Sequence, residues 1–168
     1  MNHSQLQDKA RSLNLLILDV DGVLTDGRLW LMDDGSELKS FHVRDGLGLR
    51  LLMDAGVEVA AVSGRKSKAV RERLAELNFS VILEGWQDKG AGLAHILTTT
   101  RHEAQYSAYM GDDLPDIPAL KKVGMACAVA DAAPEVRACA DWISQTPGGY
   151  GAVRELCDLI LHARRHEG

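Results

Sequence analysis

Short apolar runs alternate along the chain with segments whose apolar residues recur at helical spacing. The runs are Leu15–Leu18, Val57–Val62, Ser80–Leu83, Ser107–Met110, Met125–Val129 and Trp142–Ile143. Between them lie Leu47-Leu51-Leu52, Val70-Leu74-Leu77, Leu93-Ile96-Leu97 and Val153-Leu156-Ile160. The first set predicts strands and the second helices. Asp45 is placed to cap the first of these helices and Gly56 to end it. Strand–helix alternation implies an α/β fold, a three-layer doubly wound parallel sheet with helices on both faces. No repeat, low-complexity stretch or linker divides the sequence, so one domain is expected over residues 1–168.

One segment breaks the alternation. Arg28–Met32 and Glu37–Val43, around the turn Asp33-Asp34-Gly35-Ser36, predict a β-hairpin inserted over about residues 27–43. Leu29, Trp30, Leu31 and Met32 make one arm strongly apolar. A projecting arm of this kind aggregates unless it is covered. Burial against other subunits is therefore expected, and folding back onto its own domain is the alternative.

Composition narrows the function classes. A chain of 168 residues is long enough for a real core, and 46% hydrophobic with 26% charged residues is ordinary for a globular protein. A net charge of −5 argues against a general nucleic-acid or membrane-surface role, though not against a small anionic substrate. The polar N-terminus, Met1–Ser12, lacks the apolar core of a secretory signal, and no stretch reaches membrane-spanning length. Cys127, Cys139 and Cys157 are odd in number and widely spaced. They read as free thiols of a reducing compartment, so a cytoplasmic protein is expected.

Chemistry gathers where the strands end, which is where open α/β sheets bind ligands. The first run leads into Asp19-Val20-Asp21-Gly22, two carboxylates followed by a glycine that lets the backbone turn. Ser63-Gly64-Arg65 follows the second run, Lys89 starts a helix, and Gly111-Asp112-Asp113-Leu114-Pro115-Asp116 follows Tyr109-Met110. Paired carboxylates repel, so such a site calls for a cation or a proton. The set suits phosphoryl transfer through a carboxylate nucleophile, which splits a hard hydrolysis into two easier steps. Magnesium, held by carboxylates, would neutralise part of the charge, and Lys89 more of it. Ser63 and nearby amides can hold phosphoryl oxygens, and Asp21 can protonate the leaving oxygen and then activate water. Each piece alone has an ordinary reading. Ser-Gly is a turn, a lysine at a helix start is solvated, Gly-Asp-Asp is a cap, and Glu84 and Asp88 are surface charge.

Taken together, the four motifs resemble those of the haloacid dehalogenase superfamily of phosphohydrolases. The aspartate two residues after the nucleophile, Asp21, implies a phosphatase or mutase with a Rossmann-like core. The hairpin stands where a cap domain would be. Phe41-His42-Val43-Arg44-Asp45-Gly46 and Gly148-Gly149-x-Gly151-Ala152-Val153-Arg154-Glu155 resemble the 3-deoxy-D-manno-octulosonate 8-phosphate phosphatases in particular. That resemblance implies a capless, magnesium-dependent homotetramer of lipopolysaccharide sugar synthesis, built through the hairpins. It implies Asp19 as nucleophile and metal ligand, Asp21 as acid–base with its backbone carbonyl a second ligand, and Asp112 as the third. Asp113 and Asp116 would support them, and Ser63 and Lys89 would hold the phosphoryl group. His42, Val43, Arg44, Asp45, Gly46, Arg50, Gly64, Arg65 and Arg73 match substrate-contacting positions. Arginine forks suit a sugar acid carrying a carboxylate and a phosphate, although Arg50 and Arg73 also read as helix-surface residues. His42 stands where the resemblance leads one to expect asparagine. His162 and His166 have the spacing of a metal pair, with a frayed helix end as the plainer reading.

Alternatives remain at this point. A phosphoacceptor receiver domain shares the sheet, the magnesium and the aspartyl phosphate, but it carries its phosphoacceptor on a middle strand. Here that strand ends in Ser63-Gly64-Arg65. A serine hydrolase would need a Gly-x-Ser-x-Gly elbow around Ser63. Among enzymes, a nine-carbon keto-acid sugar phosphate is the rival substrate, and the contribution of Trp86 is unassigned.

Overall fold

The computed structural model describes residues 3–165. Helix α1 (His3–Ser12) leads into β1 (Leu15–Leu18). The hairpin follows as β2 (Trp30–Leu31) and β3 (Glu37–Leu38). Then come α2 (Val43–Asp54), β4 (Glu58–Ser63), α3 (Lys68–Glu76), β5 (Val81–Glu84) and α4 (Lys89–Thr100). The chain continues through β6 (Ser107–Gly111), α5 (Ile117–Leu120), β7 (Met125–Ala128), α6 (Pro134–Cys139), β8 (Trp142–Ile143) and α7 (Ala152–Arg165). The main sheet has six parallel strands in the order β5-β4-β1-β6-β7-β8. The expected doubly wound α/β architecture is therefore present.

Strand order explains the apolar runs. β1 lies in the middle of the sheet and all four of its residues are buried, because helices cover both faces. α7 packs against α1 and α2, while α4 packs against α5, β4 and β5. Right-handed crossovers put these two groups on opposite faces. After β5 the chain returns to the other side of β1, so strand order reverses between β1 and β6. Asp19 and Asp112 leave the sheet at that switch point, where a crevice opens.

Local structure corrects several expectations. Asp45 does not cap α2. His42 does, through its imidazole Nδ1, which accepts from the Arg44 N–H at 3.2 Å. An asparagine could serve there in the same way. The Asp45 carboxylate instead turns inward and accepts from the Arg154 N–H at 2.8 Å, joining α2 to the start of α7. Gly56, with φ 83°, lies one residue past the Ala55 cap, as an α-helix end favours. Glu84 is not a free surface charge: it accepts from the Ser67 N–H at 2.8 Å and pairs with Arg71 at 2.7 Å. Asp88 caps α4 by accepting from the Ala91 N–H. α1, α5 and α6 have no counterpart among the predicted helices. α5 and α6 are too short to show a period, and α1 is mostly polar.

The hairpin forms where expected, with shorter strands. Trp30 pairs with Leu38 and Leu31 with Glu37, around a turn in which Gly35 has φ 81°. Leu29, Trp30, Leu31, Met32 and Leu38 are all exposed in the single chain. Cys127, Cys139 and Cys157 are free thiols. Among the described residues, no helix is long and apolar enough to cross a membrane. His162 lies in the last turns of α7, and His166 lies outside the described residues.

Candidate active site

Three strand ends and one helix start build the site. Asp19 follows β1, and its N–H donates to the Met110 carbonyl at 3.0 Å, which ties it to β6. Gly22 takes φ 95°, and a Cβ there would stand 2.0 Å from an Asp112 oxygen. The loop after β1 thus approaches Asp112 as only a glycine backbone can. Ser63 ends β4 in a buried position, and its hydroxyl accepts from the Arg65 N–H at 3.2 Å. Lys89 opens α4, with its side chain 5% exposed. It is not the solvated lysine of the ordinary reading. Its ammonium donates to the Val62 carbonyl at 2.8 Å, pairs directly with Asp19 Oδ1 and stands 3.7 Å from Asp116 Oδ1.

Asp116 holds the loop after β6. One oxygen accepts from the Tyr109 hydroxyl at 2.7 Å. The other accepts from the N–H groups of Asp112 and Asp113 at 3.0 and 3.2 Å. Asp113 closes the same turn by accepting from the Leu114 N–H. With its lone pairs engaged in this way, Asp116 anchors the loop that presents Asp112.

Charge at the centre is unbalanced. Asp19, Asp112 and Asp116 bring carboxylate oxygens within 4.8 Å of one another, and Lys89 is the cation that reaches two of them. Burial, reinforced by the Asp116 charge and opposed by Lys89, pushes the Asp19 carboxyl up to about 6. Burial and the charges of Asp19 and Asp116 push Asp112 up to about 8. Carboxylates held this close in a buried site take up either protons or a cation. The residues fit a divalent ion: Asp19, Asp112 and Asp116 offer hard carboxylate oxygens close to one another.

A cavity of about 340 Å³ opens above this centre. Asp19, Asp21, Gly64, Arg65, Lys89, Asp112, Asp113 and Asp116 of the expected set line it, joined by Gln87 and Gly27. Gln87 donates to the Gly64 carbonyl at 2.5 Å. The other expected substrate positions lie elsewhere in the single chain. His42, Asp45, Gly46 and Arg73 line a separate small cavity with Leu24 and Phe41. Val43 is 77% exposed on α2, and Arg44 is exposed beside it. Arg50 is exposed and 3.8 Å from Glu76, which also pairs with Arg73 at 2.9 Å. Trp86 supports the Ser63 end of β4, its N–H donating to the Ser63 carbonyl at 3.0 Å and its ring packing on His95.

Sequence reasoning missed Lys39 and Glu37. The Lys39 ammonium pairs directly with Asp21 Oδ1, and Glu37 accepts from Arg65 at 3.1 Å. Both residues sit on the hairpin, away from the four motifs. The pattern Glu37-Leu38-Lys39, two charges around an outward apolar residue, was the available signal.

Comparison with known proteins agrees with this geometry. Residues 79–155 match the haloacid dehalogenase-like hydrolase family. The chain is 45% identical, over 156 residues, to the 3-deoxy-D-manno-octulosonate 8-phosphate phosphatase of Escherichia coli K12, covering 93% of this chain and 83% of that protein. The Yersinia pestis 3-deoxy-D-manno-octulosonate 8-phosphate phosphatase structure superposes with a TM-score of 0.93 at 40% identity, over 96% of this chain and 87% of the other. The Moraxella catarrhalis structure, in complex with a magnesium ion, a phosphate ion and a KDO molecule, gives a TM-score of 0.95 at 39% identity, over 98% and 94%. A receiver domain and a serine hydrolase are set aside by these relationships. With this fold, this carboxylate–ammonium centre and relatives of this similarity over nearly its whole length, the chain belongs to the 3-deoxy-D-manno-octulosonate 8-phosphate phosphatase family of haloacid dehalogenase-like hydrolases.

Proposed function

We propose that the chain is a magnesium-dependent phosphatase that hydrolyses 3-deoxy-D-manno-octulosonate 8-phosphate to the free sugar acid and phosphate. The observation that carries this reading is the buried Asp19–Lys89 pair beside Asp112 at the sheet's switch point. It occurs in a chain 39% identical to the Moraxella catarrhalis enzyme, which holds magnesium, phosphate and the sugar acid.

Asp19 is the nucleophile. Lys89 holds one of its oxygens in place, leaving the other to attack phosphorus and form an acyl phosphate. Lys89, pinned between Asp19, Asp116 and the Val62 carbonyl, also offsets the charge of the incoming phosphoryl group. The Ser63 hydroxyl and neighbouring amides hold phosphoryl oxygens. Asp21 gives its proton to the leaving sugar oxygen, then takes one from the water that attacks the acyl phosphate, and Asp19 is restored. Asp19, Asp112 and the Asp21 carbonyl would hold the magnesium, which when bound withdraws charge from the phosphoryl oxygens. Arg65 and Gly64 at the cavity wall suit the substrate's carboxylate end.

Further parts of the reading concern the whole molecule. Residues 1–168 act as one domain, and the hairpins assemble four subunits in the cytoplasm. His42, Val43, Arg44, Asp45, Gly46, Arg50 and Arg73 then serve the substrate from positions outside the single-chain cavity. The exposed apolar hairpin and the free cysteines support this.

The test is phosphate release from 3-deoxy-D-manno-octulosonate 8-phosphate, a nine-carbon keto-acid sugar phosphate and a hexose phosphate, each with magnesium and with a chelator. The first should exceed the others in kcat/KM by more than about tenfold, and the chelator should stop it. Preference for the nine-carbon acid would change the substrate, and turnover of none would overturn the reading.

A further inference from the structure

Lys39 is nearly inaccessible, with its side chain 1% exposed, although it follows a two-residue strand of a projecting hairpin. A buried ammonium is costly unless it is paired. Of its two carboxylate partners, Asp21 lines the catalytic cavity and Glu37 stands on the same arm of the hairpin. Its ammonium meets Asp21 Oδ1 directly and lies 3.8 Å from Glu37 Oε1. The second Glu37 oxygen accepts from Arg65 Nη2 at 3.1 Å. Asp21 and Arg65 both line the catalytic cavity. A chain of alternating charge, Asp21–Lys39–Glu37–Arg65, therefore leaves the cavity at the acid–base residue, passes through the hairpin, and returns at the arginine. Within that chain Lys39 sits closer to Asp21 than to Glu37, whose Oε1 is 3.8 Å from its ammonium.

We propose that Lys39 is a positioning residue for Asp21, and that Glu37, shared between Lys39 and Arg65, couples the placement of Asp21 to occupation of Arg65 by the substrate's carboxylate. A carboxylate that takes Arg65 displaces Glu37 from it. Glu37, freed from Arg65, then pairs with Lys39 and fixes its ammonium against Asp21 as the leaving oxygen arrives. The hairpin would thus report, within one subunit, that the right acid is bound. The coupling rests on the substrate reading above, whereas the positioning of Asp21 by Lys39 does not.

The test uses two substrates: the sugar acid phosphate, and p-nitrophenyl phosphate, which has no carboxylate. Lys39→Met should lower kcat on p-nitrophenyl phosphate about 100-fold with KM within about twofold, and Lys39→Arg should recover most of it. In an Asp21→Asn background, Lys39→Met should cost nothing further, because the two residues act as one unit. A merely structural role would add its loss in both backgrounds. Glu37→Gln should shift KM for the sugar acid phosphate and leave KM for p-nitrophenyl phosphate in place. Thermal melting establishes that each variant is folded. If Lys39→Met does not fold, Lys39→Gln is read by the same criteria. Unchanged kcat on p-nitrophenyl phosphate overturns the positioning role, and equal effects of Glu37→Gln on both substrates overturn the coupling. A wild-type chain that ignores the sugar acid phosphate refutes the substrate reading alone, since p-nitrophenyl phosphate still decides Lys39.

Discussion

Asp19 is 8% exposed and Lys89 4%, so each removes most of the other's access to water as well as neutralising it. If Asp19 is the nucleophile, Asp19→Asn should lower kcat at least about 1,000-fold, since an amide neither attacks phosphorus nor holds magnesium well. Turnover close to wild type would refute the role. The crowding of Asp19 and Asp112 also has a thermodynamic signature. Both carboxyls bind their protons more tightly in the folded chain, up to about 6 and about 8, than in the unfolded one. As pH rises from about 4 to 8, the unfolded chain has already released these protons while the folded one retains them, so metal-free stability should fall across that window. Saturating magnesium should flatten the slope, because it favours the charged forms. Denaturant unfolding at several pH values, with and without the ion, measures this. A metal-free stability that rises through the window would contradict the crowded centre.

Among the elements, a column of glycines supports the loop after β1. A Cβ on Gly22 would meet Asp112, and a Cβ on Gly148 would stand 1.7 Å from the Gly22 carbonyl oxygen. Gly149 donates its N–H to the Val23 carbonyl at 3.0 Å. The loop before α7 therefore presses directly on the turn that carries Asp21, and Asp45 ties the same region to α2 through Arg154. Gly148→Ala should push the Gly22 peptide toward Asp112. A loss of about 1–3 kcal/mol of stability is expected from the overlap, with a disproportionate fall in activity at unchanged far-UV circular dichroism. Full activity would mean that the two loops separate freely. The Gly148-Gly149-x-Gly151 pattern was visible in the chain, but its target was not, since it contacts residues more than a hundred positions earlier.

At the scale of the molecule, the hairpin leaves Leu29, Trp30, Leu31, Met32 and Leu38 facing solvent. Val43, Leu47 and Leu51 add a second exposed stripe along α2. A large apolar side chain contributes about 1.5–3 kcal/mol when fully buried, so covering this many is a strong drive to associate. Leu31→Asp should shift the sedimentation of the protein to smaller species at micromolar concentration. If neighbouring subunits complete the substrate site, it should also raise KM for the sugar acid phosphate more than for p-nitrophenyl phosphate. A wild-type chain that sediments as a monomer would refute the assembly.

Which residues end which strands was written in the sequence itself. Buried parallel strands are short apolar runs, and Asp19, Ser63 and the Gly111–Asp116 loop follow three such runs directly. Periodicity likewise placed Lys89 at the start of a helix. Contacts between distant segments were decided only by the tertiary structure. Asp116 became an anchor because folding brought the Tyr109 hydroxyl and two backbone N–H groups to it. Asp45 became a brace because α7 starts beside it, 109 positions along the chain. Lys39 entered the site because the hairpin folds over the loop after β1. Local patterns record burial and period, and they do not record which side chain a returning segment meets.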